Sequence, residues 1–169
     1  NVIDLFSGCG GLALGFKWAG FKSVLASDID ENCEKTYNYN FPEVPFVQKD
    51  LRDISTKQIK EIITDNVDIV IGGPPCQAYS LLGRHHENIE NDPRNKLYIQ
   101  YGRFLKKYKP KAFVFENVPG LLSANKGQHF KNLKAYFRKI GYEVYHDTLN
   151  AADYGVIQAR KRIIIVGWK

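Results

Sequence analysis

A doubly wound α/β fold is what these 169 residues predict: a mostly parallel seven-stranded sheet with helices on both faces. Three observations carry that expectation. Short β-branched runs alternate with helical patterns along the whole chain. A glycine-rich turn follows the first run and leads straight into a helix. Between the last two runs stand only residues 151–161, with no helical period, and a parallel crossover needs a covering helix. The last strand is therefore expected to run antiparallel to the others.

The elements follow from pattern and punctuation. Strands are predicted at Val2–Phe6, Lys22–Ser27, Pro45–Lys49, Asp68–Gly72, Ala112–Asn117, Glu143–Asn150 and Arg162–Trp168. Helices are predicted at Leu12–Ala19, Asn32–Asn40, Ser55–Thr64, Lys96–Lys107 and Gln128–Ile140. Ser55 and Gln58 have the spacing of a capping box, in which each side chain satisfies an orphan amide. Gly20 and Gly141 sit where helices stop. Tyr37, Tyr39, Tyr98 and Tyr101 lie at helical spacing and are expected to pack rather than to stack on a ligand.

Composition narrows the class. The chain is 44% hydrophobic and 25% charged, as in soluble globular domains, and long enough for one full core. A net charge of +6 permits an anionic partner without requiring one. Three cysteines (Cys9, Cys33, Cys76) are too few for a disulfide framework, and no apolar run reaches membrane length. A reducing intracellular compartment is expected: the bacterial cytoplasm, or the nucleus in a eukaryote. The chain opens on one apolar strand, closes on another and lacks methionine. Residues 1–169 are thus expected to form one domain of a longer protein, truncated at both ends. The basic run "RFLKKYKPK" reads as a solvated helix end, its lysines favoured by the helix dipole.

The turn "DLFSGCGGL" suits a ligand lying close to backbone, because Gly8, Gly10 and Gly11 allow positive φ and near approach. Some twenty residues on, "SDID" offers Asp28 and Asp30 for ribose hydroxyls. Asp50 closes the third strand on the same rim. Gly8, Gly10 and Ala13 also fit a dinucleotide pattern, so this turn does not separate NAD from S-adenosylmethionine.

Three further segments reach that rim. In "GGPPCQAYS", Pro74 and Pro75 stiffen the turn that presents Cys76, whereas Cys9 and Cys33 read as ordinary small buried side chains. "FENVPG" sets Glu116 after the apolar run "AFVF", where its carboxylate is partly desolvated. In "QARKR", Arg160 and Arg162 alternate with Lys161 and so point the same way. A thiolate, a proton-sharing acid and fixed arginines beside a nucleotide cofactor suit methylation of a cytosine ring. Carbon 5 becomes nucleophilic once sulfur adds to carbon 6, and an acid on the ring nitrogen stabilises the developing charge.

These segments, with "DPRNKL", resemble in order the cytosine carbon-5 DNA methyltransferases, and the resemblance spans nearly the whole chain. It implies the S-adenosylmethionine-dependent methyltransferase fold. It implies Cys76 as nucleophile, Glu116 as the acid, and Arg160 and Arg162 as the pair ordering the site, with Arg162 nearest the base. It aligns Phe6, Gly8, Gly10, Gly11, Asp28, Ile29, Asp50, Leu51, Pro75 and Leu97 with the cofactor pocket, S-adenosylhomocysteine being the product. It implies double-stranded DNA as partner, with the target base flipped out, a monomer, no membrane and no metal. The segment "SLLGRHHENIENDPRN" resembles a loop that closes over DNA, with Arg84, His85, His86 and Arg94 facing phosphates. Tyr79 stands where many members carry Phe. The family's target-recognition region has no counterpart here. The same chemistry on transfer RNA, a silent DNA-binding relative, and a nicotinamide oxidoreductase are the competing readings.

Overall fold

The computed structural model describes residues 1–63, 66–75 and 96–169, without the side chains of Thr56 and Gln58. Seven strands form one sheet: β1 Val2–Leu5, β2 Ser23–Asp28, β3 Phe46–Gln48, β4 Ile69–Gly72, β5 Ala112–Asn117, β6 Glu143–Asn150 and β7 Lys161–Trp168. Among the described residues five α-helices lie between them: α1 Gly11–Trp18, α2 Glu31–Asn40, α3 Thr56–Ile62, α4 Leu97–Tyr108 and α5 Gln128–Lys139. The spatial order is β3-β2-β1-β4-β5-β7-β6. From β1 the chain winds outward through β2 and β3, then returns to lay β4 on the other side of β1. Ligands of such sheets bind where the winding reverses, outside the carboxyl ends of the strands. Here that point lies beyond β1 and β4.

β1 to β5 are parallel, and β7 is antiparallel to both of its neighbours. Only residues 151–160, which begin with a short 3-10 turn at Ala151–Tyr154, separate β6 from β7, so the chain doubles back as expected. β7 inserts between β5 and β6, which leaves β6 at the edge. The two sequences match those places. "RIIIVGW" buries alternate residues completely, whereas β6 exposes Glu143, Tyr145, His146, Asp147 and Thr148.

The larger core packs one face of the sheet against α3, α4 and α5, through Ile59, Tyr101, Phe104, Leu133 and Phe137 among others. Tyr101 is fully buried, yet its hydroxyl lies 2.8 Å from the Val70 carbonyl and 3.0 Å from that of Val114. It thus stitches β4 to β5 and leaves no orphaned polar group. The smaller core joins Ala26 of the sheet to Ala13, Tyr37, Phe41 and Val44 beside α1 and α2. Asp30 caps α2 by accepting the Asn32 N–H at 2.7 Å. Gly20 and Gly141 directly follow the caps of α1 and α5.

Two expectations fail here. Tyr39 is 87% exposed on the outer side of α2 and does not pack, although Tyr37 and Tyr101 are buried and Tyr98 meets Tyr136 edge to face. Cys9 is exposed, not buried, at the outer point of a turn whose Ser7 and Gly10 are buried. The Ser55–Gln58 capping box depends on a side chain outside the described residues.

Candidate active site

A cleft of about 370 Å³ opens beyond the strand ends, lined by Phe6, Ser27, Asp28, Ile29, Lys49, Asp50, Leu51, Arg52, Gly73, Pro75 and Leu97. The strands supply its walls with residues at or just past their carboxyl ends. Phe6 comes directly after β1 with φ of 55°, a left-handed conformation costly for a bulky side chain, and its half-buried ring forms one wall. The glycine turn continues with Gly8 at φ 52° and Gly10 at φ 90°. A Cβ on Gly10 would stand 2.6 Å from the Phe41 ring, so that position is closed to larger residues twice over.

The acidic residues divide their work. Asp28, at the end of β2, accepts the Gly8 N–H at 2.8 Å on one oxygen and the Asp30 N–H at 3.1 Å on the other. It therefore braces the glycine turn while lining the cleft. Asp30 is spent on the cap of α2 and is not among the lining residues. Asp50 accepts the backbone N–H of Arg52 at 2.8 Å and is gripped by its guanidinium at 2.9 and 2.6 Å. Those bonds hold its carboxyl below the usual carboxylate range. From behind, Arg103 of α4 donates to the Leu51 carbonyl at 2.5 Å. The basic run beginning at residue 103 is thus solvated at Lys106 and Lys107 but structural at its first residue.

On the other side of the reversal point, Glu116 of β5 and Arg162 of β7 form an ion pair, Nε to Oε1, at 2.8 Å, each about one quarter exposed. Glu116 stands opposite Ile164, which sets Arg162 two residues along on the same face. The apolar setting expected for Glu116 thus comes with a counterion. Gly73 makes the approach of β4 to this carboxylate feasible, since a Cβ there would lie 2.8 Å from Glu116 Oε2. Asn117 is buried; its Nδ2 donates to the Pro74 carbonyl at 3.0 Å, and its Oδ1 accepts the Val118 N–H. The prolyl turn is thereby fastened to the end of β5. Arg160 is exposed, and its backbone N–H donates to Asn150.

Of the residues expected in a cofactor pocket, Phe6, Asp28, Ile29, Asp50, Leu51, Pro75 and Leu97 line the cleft. Gly8 and Gly10 lie in the adjoining turn, tied to the cleft by the bond from Gly8 to Asp28, and Gly11 opens α1. Cys76, Tyr79 and the segment with Arg84, His85, His86 and Arg94 lie outside the described residues; Pro75, the neighbour of Cys76, is in the cleft wall. Lys49, Arg52, Gly73, Arg103 and Asn117 were not singled out by sequence. Only Asn117 carried a signal, as the polar residue closing an apolar strand. Cys33 is half-buried on α2, and burial first, then the charge of Asp28, pushes its thiol up to about 11. It is no candidate nucleophile.

The family model for C-5 cytosine-specific DNA methylase matches residues 1–169. The type II methyltransferase M.DdeI of Desulfomicrobium norvegicum is 44% identical over all of this chain and 40% of its own length. M1.HphI of Haemophilus parahaemolyticus is 43% identical over all of this chain and 46% of its own. The chain thus spans less than half the length of these relatives. Among solved structures, Entamoeba histolytica methyltransferase EhMeth superposes with a TM-score of 0.79 at 30% identity, over 99% of this chain and 52% of that one. Spodoptera frugiperda DNMT2, at 24% identity and a TM-score of 0.74 over 99% of this chain and 49% of that one, shares the fold.

Proposed function

Since the chain belongs to the C-5 cytosine-specific DNA methylase family, we propose that it is the catalytic and cofactor-binding part of an enzyme methylating carbon 5 of cytosine in double-stranded DNA. The observation that carries this reading is the Glu116–Arg162 pair, set beside the prolyl turn on the rim that also bears the cleft.

The cleft suits S-adenosylmethionine. Its volume is that of a small-molecule site, about 300–1,000 Å³. Phe6, Ile29, Leu51 and Leu97 offer apolar surfaces for a flat base, while Asp28 and Asp50 offer acceptors to ribose hydroxyls and to an exocyclic amine. A dinucleotide suits it poorly. The Gly8 N–H that would meet a pyrophosphate is already given to Asp28, whose charge repels phosphate. When bound, S-adenosylmethionine supplies an electrophilic methyl group on its sulfonium.

The protein's own residues prepare the acceptor. The Cys76 thiolate adds to carbon 6 of a cytosine turned out of the duplex, which moves electron density to carbon 5. Glu116 shares a proton with the ring nitrogen, and Arg162, paired with its carboxylate, donates to the neighbouring carbonyl oxygen. After methyl transfer a base removes the carbon 5 proton, the bond to sulfur breaks, and Cys76 departs as thiolate. The stiffness of "GGPPC" serves near-attack geometry, where small displacements cost rate. Lys and Arg side chains around the rim hold the duplex by its phosphates, as a monomer.

Fluorine at carbon 5 cannot leave as a proton. The full-length protein, given S-adenosylmethionine and duplex DNA with 5-fluorocytosine at its target, is expected to form a stable covalent adduct. Cys76→Ser should abolish it, whereas substitution of Cys9 or Cys33 should not. An adduct that survives Cys76→Ser, or one mapped by mass spectrometry to another cysteine, would overturn the mechanism.

A further inference from the structure

We propose that Arg52 is a positioning residue that sets which purine the cofactor cleft accepts, by locking Asp50 into one orientation with a single acceptor site open. This inference rests on the cofactor reading above and assigns Arg52 a task within it.

The case is an accounting of lone pairs. A carboxylate offers about four acceptor sites, two on each oxygen. Oδ1 of Asp50 receives the Arg52 backbone N–H at 2.8 Å and the Arg52 Nε–H at 2.9 Å, which fills it. Oδ2 receives the Arg52 Nη2–H at 2.6 Å, which leaves one site among the described residues. The fork fixes the plane of the carboxylate as well as its charge, because both guanidinium bonds are made at once. Asp50 is itself mostly buried, 16% exposed against 48% for Arg52, so water contributes little to orienting it. The turn carrying both is held from the core side by Arg103 on the Leu51 carbonyl. Everything around Asp50 is therefore arranged to keep one oxygen still, in a cleft whose other walls are Phe6, Ile29, Leu51 and Leu97.

A fixed acceptor selects a donor. The 6-amino group of adenine can give it one N–H. A 6-oxo purine presents a lone pair at that place, and its nearest donor is the ring N1–H beside it. Reaching N1–H would require the carboxylate to turn, which the fork prevents. Without Arg52 the carboxylate keeps only the backbone N–H and is free to turn. Discrimination between the two bases should then collapse, even where adenine still binds.

Calorimetry on the full-length protein tests this with two probes, S-adenosylhomocysteine and S-inosylhomocysteine. The parent should prefer the amino compound by about tenfold or more, as sites built around a donor do. In Arg52→Ala the ratio of the two affinities should fall at least about fivefold, the size of one hydrogen bond's discrimination. Arg52→Lys should show the same fall, because an ammonium is a point charge and cannot grip both oxygens. A ratio unchanged in both variants would overturn the proposal, as would equal loss of both ligands, which marks a merely structural role. A parent that binds neither compound would overturn the cofactor reading and this inference with it. A parent that binds S-adenosylhomocysteine with the ratio indifferent to Arg52 would overturn this inference alone.

Discussion

Asp4 shows how one residue can work against the fold that carries it. It lies in β1 with no exposure at all, and neither of its oxygens has a hydrogen-bond partner among the described residues. Burial first, and the charge of Asp28 second, push its carboxyl well above the usual range. The folded protein therefore keeps a proton that the unfolded chain releases above about pH 4. Stability contributed at Asp4 is greatest below that pH and declines as pH rises toward the folded value. Asp4→Asn removes the titrating group without changing the shape. The variant should exceed the parent in stability by about 1–2 kcal/mol at pH 8, with the gain shrinking toward pH 4. Urea denaturation at the two pH values measures this; a gain that does not vary with pH would mean that Asp4 does not hold its proton.

Elements meet at the end of β5, and Asn117 is the joint. Its side chain spans from the Pro74 carbonyl after β4 to the Val118 N–H after β5, in a buried setting. Asn117→Ala orphans both groups and should cost about 1–3 kcal/mol of stability. Its effect on rate should be larger than its effect on cofactor. Pro75 sits between this bond and Cys76, the proposed nucleophile, so release of the Pro74 carbonyl should loosen the prolyl turn while leaving Asp28 and Asp50 in place. In the full-length protein, single-turnover methyl transfer should fall well over tenfold, with S-adenosylhomocysteine affinity within about threefold of the parent. Equal losses in the two would show that Asn117 supports the whole rim and not the turn. Signals for the elements themselves were local, which is why their boundaries agree with the sequence to a residue or two. The position of β7 was not local: its antiparallel sense follows from a short connection, but its insertion between β5 and β6 needed the pairing itself. The apolar run of β7 beside the polar edge of β6 was the available clue.

For the whole molecule, a net charge of +6 and the proposed grip on phosphates lead us to expect weak, strongly salt-dependent DNA binding by residues 1–169. Selection from random duplexes with this segment should return no preferred site, and the logarithm of affinity should fall steeply with that of salt. A single enriched sequence would show that base recognition lies within these residues. What the sequence determined alone was everything with a short-range cause. Periodicity specified strands and helices, glycines and prolines specified turns, and the alternation of elements brought Phe6, Asp28, Asp50, Pro75 and Glu116 to one rim. Tertiary structure decided the partnerships: Asp28 with Gly8, Arg162 with Glu116, Asn117 with Pro74, Arg103 with Leu51. It also decided that Cys9 would face solvent. The physical reason is range. A side chain's reach is a few ångströms, so its neighbours depend on strand order and register, which join residues as far apart as Val2 and Ile69 and leave no periodic mark in either segment.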